Sequence, residues 1–146
     1  MSILTLAAAS LIVDTALAEG RRHKFAPLTV AVLDAGGHLV ALKREDKSSL
    51  LRPQIATAKA WGVLGMGFGG REFERRVQKA PGFIAALSDV SGGRIVPVPG
   101  GVLIRDGDGD IIGSVGISGD TSLNDELCAV AGIKAAGLMP DTGDPQ

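Results

Sequence analysis

Tyrosine is absent from this chain, cysteine and tryptophan occur once each, and histidine occurs twice. Each shortage closes a route. A lone cysteine, Cys128, excludes an internal disulfide and a zinc site built from cysteines. Aromatics make up only 3% of residues, which leaves few platforms for stacked bases. Positive charge is not in excess: 15 Lys and Arg against 16 Asp and Glu give a net charge of −1. A nucleic-acid binder carries a basic footprint instead, and here only Arg21-Arg22-His23-Lys24 is locally basic. No stretch is long and apolar enough to span a membrane. Nucleic acid and membrane are therefore not expected partners. Nucleophilic serine, P-loop and histidine-rich signatures are also missing.

Small and apolar residues are what the chain has in quantity. Hydrophobic residues make up 45% and there are 21 glycines in 146 residues. That length suits one domain over residues 1–146, burying roughly 70% of its unfolded surface. The first stretch, Met1 to Ala18, is apolar and ends Ala16-Leu17-Ala18, in the manner of an export signal. No positive residue precedes it, and Asp14 interrupts it. Leu4, Ala8, Leu11, Thr15 and Ala18 fall on one helical face. This reads as an amphipathic first helix of a cytoplasmic protein, over about Ser2–Glu19 and stopped by Gly20.

Leu28–Leu33 and His38–Lys43 flank the turn Asp34-Ala35-Gly36-Gly37 and predict an antiparallel hairpin. Pro53 suits the first turn of a helix over Arg52–Met66, and Gly65–Gly70 ends it. Short helices follow over Arg71–Gln78 and from Pro81 to Asp89. Arg94–Val98 reads as extended. Val102–Arg105 and Asp110–Ile117 flank Asp106-Gly107-Asp108-Gly109, a strong hairpin signal. The last helix begins near Ser122, with Ser122 and Asp125 as a capping pair, and ends at Gly137. Residues 141–146 are expected to fray. Paired strands alternating with helices predict an α/β (α+β) layer built on an antiparallel sheet.

Few patterns carry chemistry. Gly65-Met66-Gly67-Phe68-Gly69-Gly70 matches G-x-G-x-x-G but follows a helix, so it reads as a helix–helix connection and not a dinucleotide loop. Asp106, Asp108 and Asp110 have the opening spacing of a calcium loop. Ile111 and Ile117 occupy the positions of its glycine and its final glutamate. A hairpin turn is the better reading, with weak cation binding left open. His23 is the candidate metal ligand, for iron, or a contact to ligand carboxylates; otherwise it complements the end of the first helix as a cation. His38 reads as exposed and Cys128 as a small core residue. Lys59, set among Ala56, Ala58, Ala60 and Gly62, reads either as packed or as a lysine held near a pocket. Gly100-Gly101 offers a backbone nest for an anion. The helix start near Ser122 offers another anion position, opposed by the negative charge of Asp120, Asp125 and Glu126.

Taken together, several blocks resemble one family. They are Thr29–Asp34 with Gly37, Leu42-Lys43-Arg44-Glu45-Asp46, Ile55-Ala56-Thr57-Ala58-Lys59-Ala60 and Pro99–Ile104. Later come Ile112-Gly113-Ser114-Val115-Gly116-Ile117-Ser118-Gly119 and Asp125-Glu126 with Cys128-Ala129. The pattern is similar to the GlcG/HbpS-like, or haem-degrading domain, family, which includes the C-terminal domain of PduO-type proteins. The resemblance implies a profilin-like three-layer α/β/α fold with a five-stranded antiparallel sheet. It implies homo-oligomers, from dimer to octamer, and for some members haem or iron as cofactor. Haem-binding members use a histidine on the first helix; residues 3–19 here contain none, and His23 lies beyond. The family's cationic positions match Arg44 and Lys59, and its acidic pair matches Asp125 and Glu126.

Three functions follow. The first is an oligomeric small-molecule-binding protein whose ligand is a small carboxylate or a tetrapyrrole such as haem. Arg44, Lys59, Gly100, Gly101, Asp125 and Glu126 would line its site. The second is an enzyme on small organic acids, with Lys59 or Glu126 in acid–base roles and Arg44 orienting a carboxylate. The third is a structural assembly module.

Overall fold

The computed structural model describes residues 2–144. Five helices and five strands follow one another in the order α1 (Leu6–Arg22), β1 (Thr29–Asp34), β2 (Leu39–Arg44), α2 (Arg52–Met66), α3 (Gly70–Lys79), α4 (Pro81–Val90), β3 (Gly101–Arg105), β4 (Ile111–Ser118), α5 (Ser122–Ala135) and β5 (Met139–Asp141). The strands form one antiparallel sheet in the order β2-β1-β4-β3-β5. Helices α1 and α5 cover one face and α2 the other, which is the expected three-layer arrangement. No helix among the described residues is long and apolar enough to cross a membrane.

The two faces are built differently. On the α1/α5 face, branched side chains from the strands (Val30, Val32, Val102, Ile104, Val115 and Ile117) meet Ile12, Val13 and Ala16 of α1 and Cys128, Ala129 and Ile133 of α5. On the opposite face a row of small residues, Ala31, Gly116 and Gly101, crosses three strands in register. A Cβ on Gly116 would stand 1.9 Å from the Ala56 carbonyl oxygen, and one on Gly101 2.5 Å from that of Lys59. The glycines therefore let the α2 backbone lie directly on the sheet. Val63, Phe73, Ile84 and Leu103 close the remainder of that layer, joining α3 and α4 to it.

Several expectations need correction. Helix α1 starts at Leu6, capped by the Thr5 hydroxyl, which accepts from the Ala8 N–H at 3.1 Å. Its buried stripe is Ala9, Ile12, Val13, Ala16 and Gly20, rotated from the face expected; Leu11 and Ala18 are exposed. Gly20 does not stop the helix. It is small because the Leu28 side chain packs against it, and the helix runs on to Arg22. The cap of α5 is Thr121, whose hydroxyl accepts from the Asn124 N–H at 3.2 Å, so Ser122 is already inside the helix. Arg94–Val98 forms no strand. The fifth strand comes instead from Met139–Asp141, partly within the segment expected to fray, because β3 offers it an open edge. Pro145 and Gln146 lie outside the described residues.

Candidate functional site

Because α2 lies so close to the sheet, the Lys59 side chain is buried. It is 5% exposed. Its Nζ donates to the Ile117 carbonyl at 2.9 Å and to Asp125 Oδ2 at 3.3 Å. The first turn of α5 supplies Asp125, whose Oδ1 also accepts from the Asp120 N–H at 2.9 Å. Gly100, at φ +116°, completes the enclosure: a Cβ there would sit 2.9 Å from the ammonium. Burial pushes the Lys59 pKa down and the Asp125 pKa up; each is partly restored by the other's charge. Removal from water favours the neutral form of both groups. Lys59, Asp125, Gly100 and Gly101 thus come together in a closed cluster whose members are all buried.

Glu126 belongs to a neighbouring arrangement. Both of its oxygens accept from the Arg71 guanidinium, at 2.7–3.0 Å, in the forked geometry that arginine and carboxylate favour. Arg71 also donates to Asp144 at 3.0 Å, and its pKa is raised, chiefly by the bond to Glu126. Arg75 pairs with the same Asp144. Arg71, Glu126 and Asp144 border a shallow cleft of about 510 Å³ with Leu123, Leu127 and Val130 of α5. The acidic start of α5 is therefore not a bare negative patch: Asp125 and Glu126 each have a cation, and Asp120 accepts from the Ala26 and Thr121 N–H groups.

Arg44 lies elsewhere, at the end of β2. It borders an open cleft of about 550 Å³ with Leu17, Arg21 and Pro27 on one side and Lys43, Glu45 and Asp46 on the other. The cations of this cleft differ in their engagement. Arg21 bridges to Glu45 at 3.0 Å and donates to the Phe25 and Ala26 carbonyls. Lys43 pairs with Asp14 at 2.8 Å. Arg44 is exposed and donates one bond, from Nη1 to the Ser48 carbonyl at 2.9 Å. A guanidinium has five N–H donors, so this bond leaves most of its capacity unused.

His23 caps the C-terminus of α1. Its Nε2 lies 2.9 Å from Glu19 Oε1 and its ring stacks on Phe25 at 5.0 Å. The cluster of three potential metal ligands among the described residues is elsewhere, at Asp106, Asp108 and Asp110. His38 is exposed beside Asp34, and Cys128 is buried, its thiol pushed up to about 12 by loss of water. The expected site residues therefore divide into four places: Arg44 in an open cleft, Lys59 with Asp125 and both glycines in the interior, Glu126 with Arg71 at the α3–α5 junction, and His23 at the end of α1. Sequence reasoning missed Arg71 and Arg21, whose partners are distant in the chain.

A family model described as haem degrading protein HbpS-like matches residues 4–134. Among solved structures, a PduOC–haem complex superposes with a TM-score of 0.86 at 24% identity, covering 98% of this chain and 100% of that one. Protein ORFY of Klebsiella pneumoniae gives 0.84 at 27% identity, over 94% and 92%. A double mutant of HbpS from Streptomyces reticuli gives 0.80 at 24% identity, over 92% and 88%. No curated protein gave a significant match to the sequence.

Proposed function

Because this chain belongs to the HbpS-like family of haem-degrading proteins, we propose that it binds a small molecule through a carboxylate group, in the cleft between α1 and β2. One observation carries the reading: among the described residues Arg44 is the cation of that cleft whose charge no carboxylate engages, whereas Arg21 pairs with Glu45 and Lys43 with Asp14. Leu17 and Pro27 supply an apolar wall for the body of the ligand. Arginine suits the role because its fork binds both carboxylate oxygens at once.

A carboxylate could belong to a small organic acid or to a tetrapyrrole. Haem iron takes His, Cys, Met or Tyr as protein ligands, and none of these lines the cleft. His23 already faces Glu19 through Nε2 and Phe25 through its ring. The residues of one chain therefore do not fit an axially ligated haem, and the small carboxylate is the favoured ligand. The acid–base alternative finds less support. Lys59 is enclosed, both oxygens of Glu126 are held by Arg71, and the two belong to different surroundings.

The domain is taken as one unit over residues 1–146, and as a homo-oligomer. Exposed apolar side chains on α4, Phe83 and Val90, support self-association; light scattering would report it. The functional test is titration of the purified protein with mono- and dicarboxylates and, in parallel, with haemin. Saturable binding of a small carboxylate without a saturable change in the haemin Soret band is expected. Failure of every carboxylate, or a saturable Soret change, would overturn the choice.

A further inference from the structure

Residues 139–144 sit on the domain in the manner of a bound peptide. None of them belongs to either hydrophobic cluster. Gly137, at φ +73°, turns the chain away from α5 just before them. Backbone pairing and three arginines hold the segment. Met139–Asp141 pairs with β3 at Arg105, Ile104 and Leu103. Arg105 bridges to Asp141 at 2.9 Å. The Arg71 N–H donates to the Thr142 carbonyl at 3.0 Å, and its guanidinium donates to Asp144 at 3.0 Å. Arg75 donates to Asp144 and to the Gly143 carbonyl. The side chains of these ion pairs are 25–47% exposed, so water competes for each of them. The receiving surface is cut for this backbone. A Cβ on Gly69 would stand 2.1 Å from the Thr142 carbonyl carbon, which gives the last part of the Gly65–Gly70 run a packing role. Gly143 is at φ +97°, and a Cβ there would stand 2.8 Å from the Glu72 nitrogen. Its N–H donates to Asp141 Oδ1 at 3.0 Å, closing a turn directly after the strand.

We infer that the β3 edge with Arg71, Arg75 and Arg105 is a peptide-binding groove, which residues 139–144 fill from within the chain. Its outside occupant is a partner protein's segment of the same chemistry, a short strand ending in Asp-x-Gly-Asp. Addition of a strand to a sheet edge is a general mode of peptide recognition: main-chain hydrogen bonds supply affinity and side-chain contacts supply specificity. Here Arg105 reads the first aspartate, and Arg71 and Arg75 read the second. Arginine suits that task because its planar fork matches a carboxylate. The glycine between them is demanded by the left-handed backbone and by the closeness of Glu72. Beside Arg71 and Asp144 the cleft continues along α5, where Leu123 and Leu127 are 57% and 42% exposed. A longer partner segment therefore has an apolar surface to extend onto. The groove lies apart from the Arg44 cleft and does not depend on the carboxylate reading. The resident segment competes at an effective concentration of about millimolar, as short tethers do, so an outside peptide enters when the resident contacts are weakened.

The test is an NMR titration of the ¹⁵N-labelled full-length chain with the synthetic peptide Met-Pro-Asp-Thr-Gly-Asp, to about 10 mM so as to exceed the tethered concentration. Wild type is compared with Asp141→Asn/Asp144→Asn, which removes the charges that hold the resident segment. Saturable shifts at residues 69–75 and 103–105 are expected, with apparent affinity in the variant at least about fivefold above wild type, the worth of the surface ion pairs lost. A peptide with alanine in place of its glycine is expected to produce no saturable shift. Absence of saturable shifts in the variant, equal affinity in the two chains, or equal binding of the alanine peptide would overturn the assignment. Unfolding of the variant would do the same, because the segment would then be part of the fold and not a ligand upon it.

Discussion

Arg44 and Lys59 carry the same charge, yet the fold places them in opposite surroundings. Lys59 lies under a helix pressed onto a glycine-lined sheet, and its ammonium is enclosed by Ile117, Asp125 and Gly100. Arg44 ends an edge strand and faces an open cleft with one hydrogen bond to the Ser48 carbonyl. Residue type does not decide which cation stays open to solvent. Packing depth does: the same row of small residues that brings α2 close to the sheet removes Lys59 from solvent.

The comparison breaks most readily at Lys59. Lys59→Met leaves Asp125 buried without its cation, and a loss of about 3–5 kcal/mol of stability is expected from urea unfolding. Lys59→Met/Asp125→Asn should recover most of that loss, since asparagine still accepts the Asp120 N–H. A single variant as stable as the wild type would mean that the pair is not structural. A smaller effect is expected at the second interior carboxylate. Arg71→Ala leaves Glu126 without its main donor, and a cost of about 1–3 kcal/mol should appear in the same measurement.

The pH dependence sharpens the contrast. Burial holds the Lys59 pKa below its ordinary 10.5. Between that lowered value and 10.5 the unfolded chain holds more protons than the folded one, so Lys59 makes stability rise with pH across this window. The Cys128 thiol, moved from 9.0 to about 12, acts in the reverse sense, so both chains are best compared in a Cys128→Ala background. The stability difference between the Lys59 chain and its Lys59→Met counterpart should grow as pH rises toward 10.5 and level off beyond it. A difference that shrinks over that interval would contradict the burial argument.

Much of the fold was legible because its signals are local. The turns at Asp34–Gly37 and Asp106–Gly109 marked both hairpins, and Pro53 with the following alanines marked α2 to within its observed bounds. What escaped is non-local. Met139–Asp141 is too short to announce a strand and becomes one only against β3. The buried stripe of α1, centred on Ile12 and Val13, is the one that meets α5 and the sheet. The candidate site divides in the same way. The small neighbours of Lys59 signalled its burial, but its partner Asp125 lies 66 residues away. Arg71 sits in a charged helix that reads as solvated and reveals itself only through Glu126, 55 residues later. The cleft around Arg44 is assembled from α1 and the end of β2, segments that no motif connects.

In the proposed function Arg44, and not Lys59, meets the ligand. The most direct test is a carboxylate titration of Arg44→Ala beside the wild type, with unfolding midpoints measured for both. Binding is expected to weaken at least about tenfold, the loss of a bidentate charged contact, with an unchanged midpoint, because Arg44 is exposed. Undiminished binding in Arg44→Ala would contradict it.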